Sequence, residues 1–229
     1  MQTVMTPTAD PRSMGRFTLC HGYWNRPFYN IPPSGDGAAV AGDPPQQWLL
    51  VMDAMGHGPV AHQITQQALR AFRALVGAPG TPAWTTCALL DTLDRGLRAM
   101  GDEAQAAMGL FRFELNTGIL EAVMVGNLAA MLLNPDGRVQ LHSRHGMVGG
   151  IYPRSLHPQH FKLHPKQVLA VFSDGIRLRD GLKELPGFLF GPGASTPPDD
   201  QARRIVERCG RDYDDASCAL VFIHRQDHD

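Results

Sequence analysis

The chain has 229 residues, 43% of them apolar, a proportion that supports a buried core. Its formal net charge of −1 shows no sign of a nucleic-acid or anionic-membrane partner. No stretch is apolar and long enough to span a bilayer, and the opening "MQTVMTPTADPRSMGRF" lacks the apolar core of a secretory signal. Cys20, Cys87, Cys209 and Cys218 form no CxxC pair, which points to a reducing cytoplasm and away from a cysteine zinc site.

Residues 1–14 read as a flexible tail and 15–229 as one domain. "RFTLCHGYW" reads as a first strand, followed by the loop "NIPPSGDG" ending at Asp36. "AAVAG" and "WLLVM" read as a hairpin. Pro59 suits a first helical turn. Val60, Ile64, Ala68, Ala71, Phe72 and Leu75 follow at helical spacing. A second helix is expected from Pro82, with Trp84, Cys87, Leu90, Leu93, Leu97 and Met100 on its apolar face. From Ala106 to His142 the pattern predicts a strand meander with turns at Asn116–Gly118 and Asn134–Gly137. "QVLAVFS" and "ASCALVFIH" read as further strands, the Gly/Pro-rich residues 187–198 as a loop, and "DDQARRIVERCG" as a helix. This is no βαβ alternation. The expectation is α+β: antiparallel sheets with helices packed outside them, in layers.

Acids recur where apolar strands meet loops. Asp36 precedes "GAAVAG", Asp53 follows "WLLVM", Asp174 follows "VLAVFS", and Asp214 and Asp215 precede "ASCALVFI". Carboxylates gathered on one rim repel unless a cation separates them, and Mg²⁺ or Mn²⁺ favours an all-oxygen shell. Asp-Gly is also an ordinary turn dipeptide, so pattern alone leaves metal binding and loop solvation level for Asp36, Asp53 and Asp174. Asp136, in "PDG", reads as a hairpin turn only.

"SGDG" (34–37), "VMDAMGHGPVA" (51–61), "VFSDGI" (171–176) and "DDASCALVF" (214–222) stand in one order along the chain. Together they resemble the motifs of PPM-type metal-dependent serine/threonine phosphatases, in the bacterial SpoIIE-like branch where "DGMGHG" is a hallmark. "VGNLAAMLL" (125–133) is similar to the stand-alone RsbX-like members. The resemblance implies two antiparallel sheets packed as a sandwich and flanked by helices in αββα layers, two divalent cations, Mn²⁺ or Mg²⁺, and direct attack of a cation-activated water on phosphoserine or phosphothreonine. It implies that Asp53 bridges the cations, that Asp36 acts through bound water, and that Asp174 and Asp214 are ligands, with Asp215 in reserve. Ala54 stands where the family has glycine, whose carbonyl is a ligand. Alanine keeps that carbonyl, and its direction is kept if φ is negative. The implied substrate is a phosphorylated STAS-domain protein of an anti-anti-sigma or stressosome system. Nothing in the sequence sets the oligomeric state.

Other readings of the same residues compete with this one. His57 is of a residue type that serves as a general acid, but ordering the turn before the helix is the better reading of its position. Cys20 to Arg26 matches the Cys-x5-Arg spacing of cysteine-dependent phosphatases, but Tyr23 and Trp24 would fill that loop. His57 and His62 are wrongly spaced for a zinc helix. His142, His145, His157, His160 and His164 read as exposed loop residues. A phosphatase-fold binding module without turnover is the alternative function, opened by Ala54.

Overall fold

The computed structural model describes residues 17–77, 84–181, 183–191 and 195–225. The expected tail and Pro82 lie outside these. The strands are β1 (Phe17–Arg26), β2 (Asp36–Ala41), β3 (Gln46–Ala54), β4 (Ala106–Glu114), β5 (Ile119–Val125), β6 (Ala129–Asn134), β7 (Gly137–Leu141), β8 (Gln159–Lys162), β9 (Val168–Phe172) and β10 (Ala216–Arg225). The helices are α1 (Gly58–Gly77), α2 (Thr86–Met100), α3 (Leu178–Gly181), α4 (Leu185–Phe190) and α5 (Pro198–Cys209). The strands form two antiparallel five-stranded sheets, ordered β1-β10-β9-β6-β7 and β2-β3-β4-β5-β8.

The sandwich follows from alternation along the strands. Leu49 and Val51 of β3 enter the core between the sheets, with Phe111, Phe113, Leu169, Val171 and Val221. Trp48, Leu50 and Met52 point the other way, onto Phe72 of α1 and Leu89, Leu90 and Leu93 of α2. On the opposite sheet, Ala170, Phe172 and Leu220 pack under Leu185 and Leu189 of α4 and Ile205 and Val206 of α5. Each sheet is therefore covered on both faces, and β3 and β4 read as nearly continuous apolar runs. The expected αββα layering is observed.

Several local expectations need correction. The β4–β7 stretch is not one meander: β5 pairs with β4 and β8, whereas β6 crosses to the other sheet between β7 and β9. The crossing is made at Gly126, whose φ of 101 favours glycine. Val60 and Ala71 face outward. The buried stripe of α1 is Ala61, Ile64, Thr65, Ala68, Leu69 and Phe72, and Val60 and Ala71 each fall one position, about 100° of helix, off it. Helix α2 begins at Thr86 with Thr85 capping it, so Trp84 precedes the helix and Met100 ends it exposed. Residues 187–190 lie in α4, where Leu185 and Leu189 are buried, so the expected Gly/Pro loop is shorter than 187–198. His160 lies in β8 rather than in a loop. Asp136 is a hairpin turn, its N–H donating to Asn134 Oδ1 at 3.0 Å.

Candidate active site

Four strand ends meet at one edge of the sandwich. Asp36 opens β2 and is the direct cross-strand partner of Asp53, near the end of β3. Asp174 follows β9, and Asp214 and Asp215 precede β10. Asp53, Ala54, Asp174 and Asp214 line a cavity of about 310 Å³ together with Phe28, Met55, His57, Asn127, Met147 and Tyr213. Asp36 does not line this cavity. It sits behind Asp53, 3% exposed, and borders a separate pocket with Tyr23 and His62. Both Asp36 carboxylate oxygens lack a hydrogen-bond partner among the described residues.

The electrostatics suit a cation. Burial, then the Asp36 and Asp174 charges, push the Asp53 carboxyl up to about 10. Burial first, opposed by the nearby Ser173 and Ser217 hydroxyls, leaves Asp36 raised to about 7. Asp214 is also raised, by burial and then by Asp174. Each group is strained by desolvation and by like charge, a condition that a divalent ion reverses. Among the described residues, no group of three or more His, Cys, Asp or Glu side chains is drawn together tightly enough to hold a metal ion as it stands. The donor set nevertheless fits one chemically: all oxygen, with an orphaned buried carboxylate at its back.

The backbone explains the lean loops of the motifs. Ala54 does not hold a positive φ, so alanine stands at this position without backbone strain. Gly56 has a φ of 87 and faces open space, so its need is conformational. Gly175 is different: a Cβ there would lie 1.9 Å from the Asp215 carbonyl oxygen, so only glycine lets the Asp174 loop pass Asp215.

Asp214 and Asp215 separate into two roles. Asp214 faces the cavity. Asp215 is 4% exposed, and its carboxylate accepts the Phe28 and Gly35 N–H groups, both at 2.7 Å. It ties the segment leading into β2 against the opposite sheet. The Thr65 hydroxyl donates to the Gly35 carbonyl, and His62 Nδ1 donates to the Ser34 carbonyl at 2.9 Å, so α1 clamps the same segment. His57 stacks on Phe28 with ring centroids 4.1 Å apart and planes at 4°.

Sequence reasoning missed Asn127. Its Nδ2 donates to Asp174 Oδ2 at 2.6 Å, from the corner where the chain changes sheets. The signal was present, since Asn127 follows an apolar strand as the acids do. Cys20 and Arg26 lie six residues apart on the extended strand β1, a separation of roughly 20 Å, so they form no phosphate loop.

A family profile described as stage II sporulation protein E matches residues 43–224. No curated protein sequence matches significantly. Many solved structures share the fold, among them the following three. One, described under the bacterial stressosome as a modular system adapted to control secondary messenger signalling, has a TM-score of 0.73 and 23% identity over 89% of this chain and 99% of its own. The PP2C phosphatase domain of SpoIIE from Bacillus subtilis, with a fragment of its regulatory domain, has a TM-score of 0.76 and 16% identity over 93% of this chain and 65% of its own. RsbX in complex with magnesium has a TM-score of 0.68 and 12% identity over 90% of this chain and 95% of its own. The profile spans most of the chain, the fold is the one these solved structures share, and the chain belongs to the SpoIIE family.

Proposed function

We propose that this protein is a metal-dependent protein serine/threonine phosphatase that acts in the cytoplasm on a phosphorylated STAS-type regulator. The observation that carries the reading is the convergence of Asp53, Asp174 and Asp214 on one cavity, with Asp36 buried and unpartnered behind them. Asp36, Asp53, Asp174, Asp214 and the Ala54 carbonyl would hold two divalent cations, Mg²⁺ or Mn²⁺. When bound, such ions supply Lewis acidity, which lowers the pKa of water and neutralises phosphoryl charge. The chain's own groups do the rest. Asn127 holds Asp174 in orientation, Asp215 fixes the approach to Asp36, and Phe28 and Met147 add apolar surface to the cavity lining. His57 packs on Phe28 and shapes the turn.

The fold shared with a stressosome structure and with RsbX supports a regulatory phosphoprotein as substrate. The test is hydrolysis of p-nitrophenyl phosphate and of a phosphorylated STAS protein with Mn²⁺, with EDTA, and in Asp53→Asn. Turnover should require Mn²⁺ or Mg²⁺ and fall at least ~100-fold in Asp53→Asn, a loss of roughly 2.7 kcal/mol in transition-state stabilisation. Turnover that persists in EDTA overturns the reading.

A further inference from the structure

We propose that the mouth of this cavity is a docking surface for phosphorylated protein segments whose residues beside the phosphoserine are apolar. The proposal rests on the phosphatase reading and adds the substrate preference of that site. Tyr29 is 57% exposed, Ile31 67%, Met55 49% and Tyr213 61%. These are large apolar side chains that a folded chain keeps in water at a cost, and clustered ones mark contact surfaces.

They are clustered here. Met55 and Tyr213 line the acidic cavity beside Phe28 and Met147. The Phe28 ring meets the Tyr29 ring edge-on, with centroids 4.6 Å apart. The Tyr29 N–H donates to the Asp212 carbonyl at 2.7 Å, joining the 28–31 segment to the residue before Tyr213. The Ile31 N–H donates to the Phe28 carbonyl at 2.9 Å, closing that turn. Tyr29 and Asn30 hold φ of 45 and 58, in the left-handed region that tight turns use. Asp215 anchors its start through the Phe28 N–H. The rim is thus pinned to the same acid that organises the site.

Charge selects the occupant. The described lining of the cavity holds Asp53, Asp174 and Asp214 and no lysine or arginine. Arg26 and Asp212 pair at 3.2 Å, and the Arg211 guanidinium donates to the Asp174 carbonyl at 3.0 Å. The two guanidiniums that could compensate an acidic segment there are thus already engaged. A basic segment would compete with the divalent ions for those carboxylates. A small polar phosphate ester would leave the rim hydrated. A phosphate flanked by leucine, valine or isoleucine would meet the acid floor through the metal ions and the aromatic rim through its neighbours.

The experiment compares two phosphoserine peptides of equal length, one flanked by leucine and valine, the other by serine and glycine. The kcat/KM of each is measured with Mn²⁺, and the affinity of each by fluorescence anisotropy. The wild type should favour the apolar peptide by about tenfold in both readouts, and Tyr29→Ser should bring the ratio close to one. Ile31→Ser serves if Tyr29→Ser does not fold. Equal handling of the two peptides by the wild type, or a ratio unchanged in both variants, overturns the proposal. Should p-nitrophenyl phosphate not be hydrolysed at all, the phosphatase reading fails instead, and the anisotropy ratio still decides the docking surface.

Discussion

Asp53 and Gly175 show how single residues fix the chemistry of the site. Asp53 is buried among like charges, so its carboxylate is a burden to the metal-free fold. In EDTA, Asp53→Asn should be at least as stable as the wild type by chemical denaturation. With Mn²⁺ present the order should reverse, because only the wild type gains binding energy. A wild type that remains the more stable in EDTA would contradict this account of the carboxylate cluster. Gly175 lies so close to the Asp215 carbonyl that any side chain forces the Asp174 loop away. Gly175→Ala should cost about 1–3 kcal/mol of stability and lower Mn²⁺ affinity, measured by calorimetry. The motif "SDG" was legible as an acid followed by a turn. The steric reason for its glycine was not, because Asp215 is forty residues away in sequence.

At the scale of elements, Glu121 joins β5 to α2 and β4. It is 6% exposed, yet burial, which would raise its pKa, is outweighed by Thr86, whose hydroxyl donates at 2.6 Å and whose N–H donates at 3.0 Å, and by Arg112 at 2.6 Å. His160 of β8 adds a contact at 3.4 Å. Its folded pKa is lowered, so this stabilisation is complete above the unfolded value of about 4.3 and is lost as pH falls through the folded value. The urea midpoint should therefore drop below about pH 4, and drop less steeply in Glu121→Gln. At neutral pH that variant should lose roughly 3 kcal/mol, since Arg112 is left without its partner. Sequence patterning foresaw β5 and α2 but not their tie, nor β8, whose four residues carry no apolar alternation strong enough to read.

For the molecule as a whole, the site is a joint between layers. Asp36 and Asp53 come from one sheet, and Asp174 and Asp214 from the other. A bound cation would cross-link the two, so Mn²⁺ should raise Tm. At a concentration 100 times Kd, binding adds about 2.7 kcal/mol. Asp53→Asn and Asp174→Asn should each suppress that rise although they alter different sheets. A Tm shift that survives either substitution would show that the ion binds elsewhere.

The chain's alternation by itself pointed to a layered α+β architecture, and its strand-end acids raised Asp36, Asp53, Asp174, Asp214 and Asp215 as candidates, among which the resemblance to PPM-type motifs, not the pattern, chose. Those are local properties: period, turn chemistry and the place of a carboxylate at a strand end. Only the tertiary structure decided that the 106–142 stretch divides between the sheets, that Asp215 clamps backbone while Asp214 faces the cavity, and that Asn127 reaches Asp174. Each depends on which distant segments are brought into hydrogen-bonding range. Ala54 needed both: the sequence exposed the departure from glycine, and the backbone, with φ outside the positive range, showed that alanine is accommodated.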